Sequence, residues 1–94
     1  MTVDICGIPH EVKYVDSIDE ELDGITQGKI LYSKGIILIR KDLPKEIENE
    51  VLIHEITHGM LMHLGKHDMS SDEEFVQLLA HGINMCFVMK GGNE

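Results

Sequence analysis

The chain has 94 residues, enough for one domain with a modest core. Seventeen acidic residues against eight basic ones give a formal net charge of −9, which argues against binding nucleic acid through its phosphates, a task for a basic surface. No apolar stretch approaches the length that crosses a bilayer, so neither nucleic acid nor membrane is expected as a partner.

Residues 2–6 and 10–15 read as two short strands, with Val3 and Ile5, then His10, Val12 and Tyr14, alternating with polar neighbours. Gly7-Ile8-Pro9 is the expected turn between them. Residues 16–27 are acidic and contain glycine, and Asp16 to Leu22 suits a short helix or a loop. Lys29–Tyr32 and Ile36–Arg40 read as a second hairpin about Ser33-Lys34-Gly35. The run Ile36-Ile37-Leu38-Ile39 is apolar on both faces, so a helix is expected to cover one side of that strand.

Asp42-Leu43-Pro44 is a helix-start signal, with Asp42 as the expected N-cap. That helix is expected to run to Gly65, about 22 residues or roughly 33 Å. Lys66-His67-Asp68-Met69 reads as a loop. A second helix is expected from Ser70-Ser71-Asp72-Glu73-Glu74 to about Lys90, buried on a broad face that includes Phe75, Val76, Leu78, Leu79, Ile83, Cys86 and Phe87. Strands first and helices after make the expected fold α+β: a small antiparallel sheet of about four strands followed by two packed helices.

Cys6 and Cys86 are too few for a disulfide framework, and both are expected to be buried free thiols in a reducing cytosol. Met1-Thr2-Val3-Asp4 has no basic region and no apolar run after it, so no signal peptide is expected and the expected compartment is the cytoplasm.

Within the first helix, His54-Glu55-Ile56-Thr57-His58 is an HExxH motif. Histidines four apart lie on one helix face, one turn from each other, where both rings can take one Zn²⁺. Glu55 leans to the same side and can reach a metal-activated water as general base without ligating the metal. Val51, Leu52, Ile53, Ile56, Met60, Leu61, Met62 and Leu64 make the surrounding helix apolar nearly all round. Burying two histidines and a glutamate in such a helix is costly unless something satisfies them, and a metal does so directly.

A catalytic zinc site takes three protein ligands and keeps a fourth position for water. The candidates for the third are Glu73, Glu74, His63, His67, His81 and Asp68. His63 is rotated away from the His54/His58 face. The metzincin pattern needs Gly and His where this chain has Leu61 and Leu64. His67 and Asp68 read as solvated loop residues. Ser70-x-x-Glu73 and Ser71-x-x-Glu74 are both capping boxes, so one glutamate can cap the helix while the other reaches the metal. Helix phase favours Glu73, which shares a face with Val76, Ala80 and Ile83; Glu74 stays open as the alternative. His81, Tyr32, Tyr14 and His63 are candidates for hydrogen-bonding a tetrahedral oxyanion, and nothing in the sequence separates them.

The hairpin ending in Ile36-Ile37-Leu38-Ile39, the helix with Leu52-Ile53-His54-Glu55-Ile56-Thr57-His58-Gly59, and Asp72-Glu73-Glu74-Phe75-Val76-Gln77-Leu78-Leu79-Ala80 together resemble a minimal gluzincin-type metallopeptidase. The chain is most similar to the small phage and prophage metallopeptidases related to the ImmA/IrrE group. That resemblance implies a zincin-like core, a glutamate ligand at the place of Glu73, and an intracellular zinc peptidase carried by a mobile element. Its expected substrate is a cytoplasmic protein or peptide, with Ile36–Arg40 as the strand that pairs with it. The alternative is a non-catalytic metallopeptidase-like module that sequesters a host protein.

Overall fold

The computed structural model describes residues 1–18 and 26–87, so most of the acidic stretch expected as a short helix or loop lies outside the described residues. The strands are β1 (Thr2–Ile5), β2 (Ile8–Val15), β3 (Gly28–Leu31) and β4 (Ile36–Arg40), in the sheet order β1-β2-β4-β3. The helices are α1 (Lys45–His63), a short α2 (His67–Ser70) and α3 (Glu73–Cys86). The class is α+β.

The sheet is mixed rather than wholly antiparallel. β1 and β2 form a hairpin, β3 and β4 form another, and the hairpins join through parallel pairing of β2 with β4, Val12 opposite Ile37 and Tyr14 opposite Ile39. The composition of the strands explains the order. β4 is Ile-Ile-Leu-Ile-Arg and profits most from two neighbours, whereas β3 carries Gly28 and the exposed Lys29, residues suited to an edge. The strand expected to meet a substrate, Ile36–Arg40, is therefore interior, and β3 occupies the sheet edge.

The first turn lies at Cys6-Gly7 rather than Gly7-Ile8-Pro9, since Ile8 and Pro9 belong to β2. Both turn residues have positive φ, 54° at Cys6 and 81° at Gly7, as a two-residue hairpin with the strand twist requires. Cys6 is thereby exposed at the tip, and Cys86 is exposed at the end of α3, so neither is the buried thiol expected from its neighbours.

One face of the sheet packs on α1, and the core joins Ile5, Val12, Ile30, Ile37 and Ile39 to Leu52 of that helix. Ile37 and Ile39 are fully buried, while Ile36, Leu38 and Arg40, which alternate with them, are half-buried, the period of two expected of a strand with one covered face. Gly59 lets α1 approach closely: a Cβ there would come within 2.9 Å of Ile30 Cδ1 and 3.0 Å of Ile5 Cδ1.

Three helix boundaries differ from expectation. Asp42 does not cap α1, because its carboxylate pairs with Arg40 at 2.7 Å and Pro44 stands at the cap position. Residues His67–Ser70 form α2 where a loop was expected. Neither serine capping box forms. Asp72 is the N-cap of α3, accepting from the Phe75 backbone N–H at 3.1 Å, while Ser70 and Ser71 donate to the carbonyls of His58 and His67. Helix α3 ends at Cys86, short of the expected Lys90, which lies outside the described residues.

Helices α1 and α3 run antiparallel, since Glu73 faces His54 and His58 while the later His81 lies 4.0 Å from the earlier Glu50. Val76 and Ala80, on the same face as Glu73, are buried. The apolar residues Phe75, Leu78 and Phe87 are exposed rather than covered. A 14-residue helix that rests mainly on one other helix hides one stripe, not a broad face.

Candidate metal centre

The site is built where α1 crosses the β3 side of the sheet and α3 begins. Thr57 Oγ1 donates to the Ile53 carbonyl at 2.7 Å, so this polar residue is satisfied inside the helix and leaves its neighbours to face the cleft. His54 and His58, one turn apart, point their Nε2 atoms at each other across 3.2 Å. Glu73 closes the triangle, with Oε1 3.2 Å from His54 Nε2 and Oε2 3.1 Å from His58 Nε2. His58 is nearly buried, His54 half-buried, and Glu73 reaches in from solvent as the first residue of α3.

These distances suit one ion. Donors about 2.0–2.1 Å from a tetrahedral centre lie roughly 3.3 Å from one another. Two imidazole nitrogens that face each other at this range need a proton or a cation between them, because two lone pairs repel. Among the described residues, His54, His58 and Glu73 form the one group of three such side chains able to hold a metal. The pattern of two nitrogens and a carboxylate fits a divalent ion of the zinc row and does not by itself choose among them.

Glu55 stands beside this triangle, 7% exposed. Burial, reinforced by the Glu73 carboxylate, pushes its pKa up from 4.5 to about 7. A carboxyl group in that range can take and return a proton near neutrality. A dication alongside would favour its ionised form.

Gly28 gives Glu55 its room. A Cβ at Gly28 would collide with Val51 and come within 3.3 Å of Glu55 Cγ and Oε2. In the sequence its one signal is a glycine inside a strand pattern, which marks close approach of another group. Ser70, a helix-cap candidate by sequence, has a different role in the structure. Ser70 is buried, donates to the His58 carbonyl at 3.1 Å and lies 3.4 Å from the Tyr32 hydroxyl.

The open cleft over the triangle holds about 330 Å³ and is lined by Gly28, Lys29, Ile30 and Tyr32 of the β3 side with His54, Glu55, His58 and Glu73. A second hollow of about 240 Å³ continues past His54 and Glu55 toward Glu50 and Gln77. The other candidates lie elsewhere. Glu74, His67 and Asp68 are exposed and outside the triangle. His63 turns to His10, their Nε2 atoms 3.4 Å apart. His81 is exposed beside Glu50, and Tyr14 lies near Glu48 and Lys45 at the start of α1. No described helix is long and apolar enough to cross a membrane. Comparisons with protein-family models, curated proteins and solved structures find no match, so the functional reading rests on the residues of this chain.

Proposed function

We propose that the chain is a zinc-dependent peptidase acting on a cytoplasmic protein or peptide, in keeping with its resemblance to the phage and prophage metallopeptidases. The observation that carries this reading is the His54–His58–Glu73 triangle with the buried carboxyl group of Glu55 in the same cleft. His54, His58 and Glu73 would hold the ion. Bound there, zinc supplies Lewis acidity that makes water a nucleophile near neutral pH.

Glu55 accepts the proton of the attacking water and later delivers it to the leaving amine. A neighbouring dication favours the carboxylate, the form that accepts a proton. The substrate strand would lie along β3. Arg40 N–H donates to the Gln27 carbonyl at 3.0 Å, so by antiparallel alternation Lys29 and Leu31 also bond inward to β4. Gly28 and Ile30 then direct their backbone groups to the edge beside the cleft that no strand among the described residues covers, where an extended peptide can add as a further strand.

A binding module that sequesters a host protein would leave the buried Glu55 without a role, so the peptidase reading stands first. The test is Glu55→Gln in the zinc-loaded protein, with cleavage of an unstructured peptide library read by mass spectrometry. Zinc is expected to stay bound while cleavage falls by about 10²–10⁴-fold. Cleavage at the wild-type rate by this variant rejects the mechanism.

A further inference from the structure

Helix α3 carries two apolar stripes. By helical phase, Val76, Ala80 and Ile83 share the side of Glu73, which packs on α1. Phe75, Leu78, Leu79, Gly82, Met85 and Cys86 form a second stripe on the far side. From Phe75 to Phe87 the sequence holds no Asp, Glu, Lys or Arg, in a chain that is 27% charged. The second stripe is open: Leu78 is 71% exposed, Met85 73%, Phe87 66% and Phe75 37%. A groove of about 400 Å³ runs along it, with Gly82 in its lining.

We propose that a second copy of this chain docks on the stripe, the two α3 helices crossing antiparallel at Gly82. Glycine weakens a helix interior, and a Cβ at Gly82 would meet nothing within 4 Å among the described residues, so the fold of one copy does not call for it. Gly82 lies at the centre of the stripe, with Leu78 one turn before it and Cys86 one turn after. There its missing side chain lets a facing backbone come close. A two-fold axis puts the same surface on both partners. Gly82 facing Gly82 then sets Leu78 of one copy against Met85 and Cys86 of the other.

The area fits a dimer. The exposed parts of Phe75, Leu78, Met85 and Phe87 offer roughly 500 Å², taking about 200 Å² for a large apolar residue. With Leu79, Gly82 and Cys86 each copy would bury roughly 600 Å², about 1,200 Å² for the pair, the lower limit of stable specific interfaces. Charge selects the antiparallel sense. Glu73 and Glu74 begin α3, and a parallel pair would set them against their own copies. Crossing antiparallel at Gly82 holds the two Glu74 residues roughly 24 Å apart along the axis, beyond the screening length of about 8 Å at physiological salt. It also opposes the two helix dipoles. Glu73 remains on the α1 side, so the dimer leaves the metal cleft open and does not depend on the peptidase reading.

Sedimentation equilibrium of the full chain tests this, comparing wild type with Leu78→Arg and Gly82→Leu. Thermal melts followed by circular dichroism check that each variant is folded. Wild type is expected to pass from 10.6 kDa toward twice that mass, with a Kd on the order of 10–100 µM. Each copy carries −9, so raising NaCl from about 50 to about 500 mM should tighten association roughly two- to tenfold. Either variant should weaken it at least about tenfold, one by placing a charge in the apolar contact and the other by filling the crossing point. The space beside Gly82 is open in one copy, so Gly82→Leu should raise the Tm of the dilute monomer by several degrees while it weakens the dimer. Wild type that stays at 10.6 kDa up to about 500 µM overturns the proposal. If that monomer floats with phosphatidylcholine vesicles, the stripe meets a lipid surface instead. A dimer that either folded variant leaves at wild-type affinity also overturns it.

Discussion

Replacing Glu55 by Gln in the metal-free protein tests the burial of the base before any substrate is known. Burial raises the folded-state pKa of Glu55 from its ordinary 4.5 to about 7. A carboxyl group whose pKa is raised on folding binds its proton more tightly in the folded state. Its contribution is therefore fully present below pH 4.5 and is lost as pH rises through about 7. At about 1.4 kcal/mol for each pH unit, the loss is on the order of 3 kcal/mol. In a domain of this size that corresponds to a difference in Tm on the order of 10–20 °C. Urea unfolding in the presence of a chelator, at pH 4 and pH 8, measures it for both proteins. The stability of wild type relative to Glu55→Gln should fall by about 3 kcal/mol between those pH values. Saturating zinc should shrink that difference, because a neighbouring dication favours the carboxylate. Parallel pH dependence of the two metal-free proteins would refute the reasoning and mean that Glu55 is well solvated.

Two further outcomes follow from the geometry of the triangle and of the β3 edge. Zinc at about a hundredfold above its Kd should stabilise wild type by about 2.7 kcal/mol in urea unfolding. Glu73→Gln should lose most of that gain and Glu74→Gln should keep it; the reverse order would exchange the two glutamates. Gly28→Ala places a methyl against Val51 and the Glu55 side chain, and should cost about 1–3 kcal/mol in urea unfolding while zinc binding persists. A neutral effect of that change would mean the strand can move away from α1.

Much of the site was legible because its determinants are local. His54 and His58 share a helix face by their spacing of four, whatever the tertiary structure. Glu73 could be favoured over Glu74 from phase, since Val76 and Ala80 mark the side of α3 that must be buried. The capping assignment behind that choice was nevertheless different. Asp72 caps the helix, and Ser70 and Ser71 serve carbonyls of earlier residues. Helix starts with three adjacent cap-forming residues are ambiguous in sequence, because each can form nearly the same local bond. The strands were also legible, from alternation and turn residues, but their partners were not. Pairing of β2 with β4 joins residues more than twenty positions apart, and no local pattern specifies which of two hairpin strands faces inward.

The HExxH spacing, the helical phase of Glu73 and the α+β order of elements are properties of short segments, and the sequence by itself determined them. Everything that depends on which segments meet was decided by the tertiary structure. It made β3 the sheet edge beside the cleft, put Gly28 where a side chain would collide with Val51 and crowd Glu55, and buried Glu55 enough to raise its pKa. It also brought the cleft residue Tyr32 within 3.4 Å of Ser70, 38 residues away in the chain. The physical reason is range. Helical periodicity acts over a few residues of one chain segment, whereas desolvation and proton sharing depend on atoms that only packing brings together.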